Sequence, residues 1–110
     1  MKVAISNWKG RVSPVFDVAD HVLLVEIVKG HEENCEQVLI TTEDPLKRAS
    51  LLAELGVEVL ICRSVSKILE SALISQGIRV IPHICGRVED VLEEYIEGKL
   101  DRVNNKKHFQ

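Results

Sequence analysis

The stretch Val57–Arg87, VEVLICRSVSKILESALISQGIRVIPHICGR, constrains the fold most. An apolar run, a helical stripe and a second apolar run follow one another without a long break. They read as strand, helix, strand. Such a crossover is right-handed and leaves its two strands parallel in one sheet. Both strands therefore end at the same edge. Cys62 stands at the exit of the first, and His83 and Cys85 stand at the exit of the second. These are soft or borderline metal ligands, at the edge where open α/β sheets bind their ligands.

The rest of the chain supplies the partners of this unit. Lys2–Ser6 (KVAIS) reads as a short buried strand. Asn7–Asp20 has no period and reads as a long loop carrying Gly10 and Pro14. His21–Val28 is rich in branched apolar residues. Lys29–Glu33 is a polar turn, and Glu36–Thr41 is the returning strand of an antiparallel hairpin. Asp44-Pro45 is a helix start, with Leu46, Ala49, Leu52 and Ala53 on one face and Gly56 at the end. Ser64 is the expected cap of the next helix, whose stripe is Val65, Ile68, Leu69, Ala72 and Leu73. A third helix is expected to bury Val88, Val91, Leu92, Tyr95 and Ile96 and to stop at Gly98.

The element order is β β β α β α β α. It predicts an α/β, ribonuclease H-like fold: a five-stranded mixed sheet in the order 3-2-1-4-5, with about three helices on its faces. Residues 1–100 are expected to form a single domain and 101–110 a flexible tail. At 110 residues the chain is long enough for one real core.

Composition narrows the function classes. Net charge is −3 and aromatic residues are only 4%, which argues against nucleic acid as the partner. No apolar run approaches the roughly 18 residues of a membrane span. Three cysteines, an odd number, with no leader-like segment before the first strand, predict reduced thiols in a cytoplasmic protein.

Under this topology the carboxyl edge gathers Ser6, Asn7, Trp8, His21, Thr41, Cys62, Arg63, His83 and Cys85. His31 and Cys35 fall toward the opposite edge. The second and third helices start at the ligand-bearing edge, where free N–H groups favour an anion. Lys9, Arg11, Arg63 and Arg87 add positive charge. The expected site is thiolate and imidazole within a cationic rim, with Cys62, His83 and Cys85 as ligands. Competing structural roles are as simple: a Cys ending an apolar strand is often only a small buried hydrophobe. His-x-Cys is no zinc spacing and there is no C-x-x-C pair. A two-metal nuclease needs an acidic residue on the first strand, and KVAIS has none. No third residue orients a Cys–His nucleophile pair. The expectation is a protein that is not an enzyme.

Several segments together resemble one known family. They are GRVSPVFDVAD (Gly10–Asp20), LGVEVLIC (Leu55–Cys62), GIRVIPHICG (Gly77–Gly86) and VEDVLEEYIEGKL (Val88–Leu100). The chain resembles the dinitrogenase iron–molybdenum cofactor-binding domain family over essentially residues 1–100. The resemblance implies the fold derived above. It also implies a non-catalytic carrier or scaffold for an iron–sulfur or iron–molybdenum-type cofactor or its precursor, partnered with a cofactor-biosynthesis protein. One departure is plain. Family members commonly have a small pair after the Cys that ends the fourth strand, where this chain has Arg63-Ser64. The alternative expectation is a metal-free binding or regulatory module for an anionic small molecule or a protein partner, with the cysteines as packing residues.

Overall fold

The computed structural model describes residues 1–100. The tail expected at 101–110 lies outside the described residues. A mixed sheet of six strands is covered by three α-helices. The strands are β1 (Lys2–Trp8), β2 (Arg11–Val12), β3 (His21–Val28), β4 (His31–Leu39), β5 (Val57–Ile61) and β6 (Arg79–Ile81). The helices are α1 (Pro45–Glu54), α2 (Lys67–Ser75) and α3 (Val88–Ile96). Along the sheet the order is β4-β3-β1-β5-β6, with β2 paired to β1 off that path. β1 and β5 are parallel, as are β5 and β6, and the remaining pairs are antiparallel.

The sixth strand corrects the expectation of five. β1 does not stop at Ser6. It runs to Trp8, turns through Lys9-Gly10 and returns as β2, with Trp8 opposite Arg11. Lys9 and Gly10 both have positive φ, 53° and 84°. Two residues in that conformation make the tight turn whose twist matches paired strands. Lys29-Gly30 repeats the device with φ values of 53° and 79°, and Val28 faces His31. The polar turn expected over Lys29–Glu33 is therefore two residues long, and β4 begins at His31 rather than Glu36. Lys-Gly lacks the Asn or Asp that usually marks such turns. β4 also reads HEENCEQVL because it is an exposed edge strand that needs no apolar alternation.

Two cores sandwich the sheet. Ala4, Leu60 and Cys62 face α1 and α2 with Phe16, Leu52, Leu69 and Leu73. Val3, Ile5, Val59 and Ile61 face α3 with Val88, Val91 and Leu92. Asp44 caps α1 by accepting from the Leu46 N–H at 2.9 Å, and Pro45 opens it. The cap of α2 is Ser66, accepting from Leu69 N–H at 3.2 Å, in place of the expected Ser64. Two expected core residues lie outside: Leu46 is 68% exposed and Ile68 is 69% exposed. Arg48 is instead buried on α1, at 1% exposure. No helix among the described residues is long and apolar enough to cross a membrane.

Candidate functional site

β1, β5 and β6 end at one edge of the sheet, and two loops continue side by side from β5 and β6. Cys62 N–H donates to the Ile81 carbonyl at 3.1 Å. Ile84 N–H donates to the Cys62 carbonyl at 3.0 Å, and His83 N–H to the Arg63 carbonyl at 2.8 Å. The backbone at Cys62–Arg63 is thereby locked to the backbone at His83–Ile84. His83 has φ of +69°. A left-handed non-glycine residue costs about 1–2 kcal/mol, so the loop is held there by its neighbours.

The side chains then part company. Ile84 is buried in the α3-side core, which leaves His83 and Cys85 exposed on either side of it. Cys62 is fully buried in the opposite core, in the cluster that includes Phe16, Ala19 and Leu69. Burial, then the carboxylates of Glu70 and Asp17, push its thiol up to about 12. At neutral pH it is a protonated thiol and a poor ligand. The expected set of Cys62, His83 and Cys85 is not assembled. Among the described residues, no three of His, Cys, Asp and Glu are grouped to hold a metal ion.

The cationic residues divide into two groups. Arg63 and Lys67 line a cleft of about 270 Å³ with Ser64, Val65, Pro82 and His83. Glu70 lines the same cleft. The β1–β2 turn carries Lys9 and Arg11 to the Cys85 side. Val12 N–H donates to the Gly86 carbonyl at 2.9 Å, Val88 N–H to the Gly10 carbonyl at 3.0 Å, and Arg11 bridges to Arg87. Lys9 Nζ lies 5.1 Å from the Trp8 ring centroid. Arg87 binds Glu89 at 2.8 Å, which offsets its charge.

The start of α2, expected to be open to an anion, is already filled by one. Asp17 accepts from Ser66 N–H at 2.8 Å and from Ser66 Oγ at 2.5 Å. The loop bearing Asp17 is thus strapped across the edge. Phe16 N–H donates to the Ser64 carbonyl at 2.8 Å. Arg48 grips the loop from below, its Nη1 donating to the Phe16 carbonyl at 3.2 Å and its Nη2 to the Ala19 carbonyl at 2.8 Å. Beside the strap, Trp8, Ser13, Pro14, Val15 and Val18 line a second cleft of about 280 Å³.

Sequence reasoning missed Asp17, Arg48 and Ser66. One signal was legible: Arg48 lies four residues before Leu52 and so shares its helix face. The pairing of Asp17 with Ser66, 49 residues apart, left no local trace.

A comparison with known families decides the affiliation. The sequence model of the dinitrogenase iron–molybdenum cofactor family matches residues 1–98. The chain belongs to that family. Protein MJ0580 of Methanocaldococcus jannaschii is 27% identical over 107 residues, covering 93% of this chain and 91% of that relative. The crystal structure of PH0822 matches this family member with a TM-score of 0.84 at 25% identity, over 90% of this chain and 93% of that one. The apo form of the orange protein from Desulfovibrio gigas gives 0.75 at 22% identity, over 89% and 88% of the two chains. That last likeness speaks for the fold alone.

Proposed function

We propose that this chain is a non-catalytic, cytoplasmic carrier or scaffold, built as one ribonuclease H-like domain, for an iron–sulfur or iron–molybdenum-type cofactor or its precursor. Family membership supports the class of cargo. The observation that carries the reading is the pair of exposed donors, His83 and Cys85, on one loop whose backbone is locked to Arg63 and Cys62. An imidazole and a thiol suit a soft or borderline metal. Arg63 on one flank, with Lys9 and Arg11 on the other, would screen the charge of an anionic metal–sulfur cluster. Two exposed donors are an incomplete set, which suits a carrier: a cluster held by few bonds can pass to a cofactor-biosynthesis partner. Cys62, as it stands in the core, does not fit as a third ligand.

The test is anaerobic reconstitution of the purified protein with iron and sulfide, read by visible absorption and metal analysis. Stoichiometric colour in the wild type, lost in a His83→Ala/Cys85→Ser variant, is the expected result. A protein that stays colourless under reconstitution would sink the reading. It would favour a metal-free module binding an anion in the cleft of Arg63, Lys67 and His83.

A further inference from the structure

The strap packs into the core that holds Cys62. Phe16 is fully buried in the same cluster as Cys62, and Ala19 beside it is nearly so. The residues flanking Phe16 give the strap little further grip. Pro14, Val15 and Val18 are all exposed. The strap is pinned at a handful of points: the Phe16 ring, the Phe16 N–H on the Ser64 carbonyl, the Ser13 N–H on the Ser6 carbonyl, the Asp17 carboxylate on Ser66, and the carbonyls of Phe16 and Ala19 on Arg48.

Two buried hydroxyls lie where the strap meets the sheet, at Ser13 and Ser6, whose backbones are joined by the Ser13 N–H donating to the Ser6 carbonyl at 3.2 Å. Ile5 pairs with Ile61, so Ser6 and Cys62 stand one step beyond them on adjacent parallel strands. Both follow the face of Ala4 and Leu60, which belong to the α1–α2 core. Ser6 is 0% exposed and Ser13, on the strap, is 3% exposed. Neither hydroxyl has a hydrogen-bond partner. An orphaned buried hydroxyl destabilises the state that buries it. The closed strap thus leaves both hydroxyls unsatisfied, that of Ser6 on the strand next to Cys62, and opening would relieve both.

We infer that the Ser13–Ala19 segment is a hinged cover, latched by Asp17 on Ser66, whose opening presents the Cys62 thiol together with the Ser6 and Ser13 hydroxyls to a soft-metal cargo. The identity of that cargo rests on the carrier reading above; the cover itself does not. The open form supplies the third donor that the closed form withholds. Uptake and release of cargo then follow the strap rather than the ligands alone.

The experiment uses a Cys35→Ser/Cys85→Ser chain, in which Cys62 is the sole thiol. Its labelling by 5,5′-dithiobis(2-nitrobenzoate) is followed across low urea, below the unfolding transition. Asp17→Ala and, separately, Ser66→Ala are then added. Labelling should be slow in the parent, nearly independent of urea, and about tenfold faster once the latch is removed. Two outcomes overturn the inference. One is a labelling rate that climbs with urea as steeply as global unfolding does. The other is an unchanged rate in both latch variants. No metal is present, so the two readings fail separately. A gated Cys62 in a protein that takes up no cluster sinks the carrier alone, and urea-steep labelling sinks the cover alone.

Discussion

Arg48 stands over Phe16, its guanidinium carbon 5.4 Å from the ring centroid, while its Nη1 donates to the carbonyl of the same residue at 3.2 Å. One side chain from α1 thus holds both the ring and the backbone of the strap. Burial lowers the Arg48 pKa, opposed by Glu43, Asp17 and Asp20. Replacing Arg48 with Met keeps the apolar stem but takes the guanidinium donors from the Phe16 and Ala19 carbonyls, leaving the Phe16 carbonyl only its bond from the Ala19 N–H at 3.1 Å. Arg48→Met should cost about 2–4 kcal/mol, measured as a lower urea midpoint at an unchanged slope. A loss below about 0.5 kcal/mol would show that the grip contributes nothing.

Cys62 makes stability depend on alkaline pH. Its folded-state pKa is raised to about 12 from an ordinary value of 9.0. The unfolded chain therefore releases this proton first as pH rises. The stability contribution is fully present below about pH 9 and is lost as pH climbs from 9 toward 12. The full loss is up to about 4 kcal/mol. Cys62→Ala should flatten this part of the profile, and equal alkaline slopes for wild type and variant would refute the assignment.

Gly10 isolates a purely conformational cost. A Cβ there would meet no atom within 4 Å, but φ is +84°. Gly10→Ala should cost about 1–2 kcal/mol by thermal or urea unfolding, with no cavity or clash to add to it. Since this turn carries Lys9 and Arg11 beside Gly86, the variant should also weaken cluster uptake more than its stability loss alone explains. Retained uptake would place those two cations outside the site.

Arg63 tests the electrostatic half of the carrier reading. It is exposed, and its side chain lines the cleft with His83. Arg63→Glu should leave unfolding within about 0.5 kcal/mol of wild type. It should reduce uptake of an anionic cluster several-fold at low salt, with the difference shrinking near 0.5 M salt. An effect of equal size at every ionic strength would mean that Arg63 acts through shape.

Local pattern was enough for the crossover Val57–Ile81, the Asp44-Pro45 helix start and the three helices, because periodicity and capping are properties of neighbours in the chain. It was also enough to bring Cys62, His83 and Cys85 to one edge, because parallel strands end together. Which way those side chains point was settled elsewhere. Cys62 is buried in the cluster that also holds Phe16, 46 positions before it, and Ile84 anchors in the opposite core. β2 and β4 escaped the periodicity because a two-residue return needs only φ > 0 at Lys and Gly, and an exposed edge strand carries no apolar alternation. Strand ends follow from the order of elements along the chain; whether a thiol at a strand end meets solvent or core depends on a loop packed over it from far away in sequence, and only the tertiary structure holds that information.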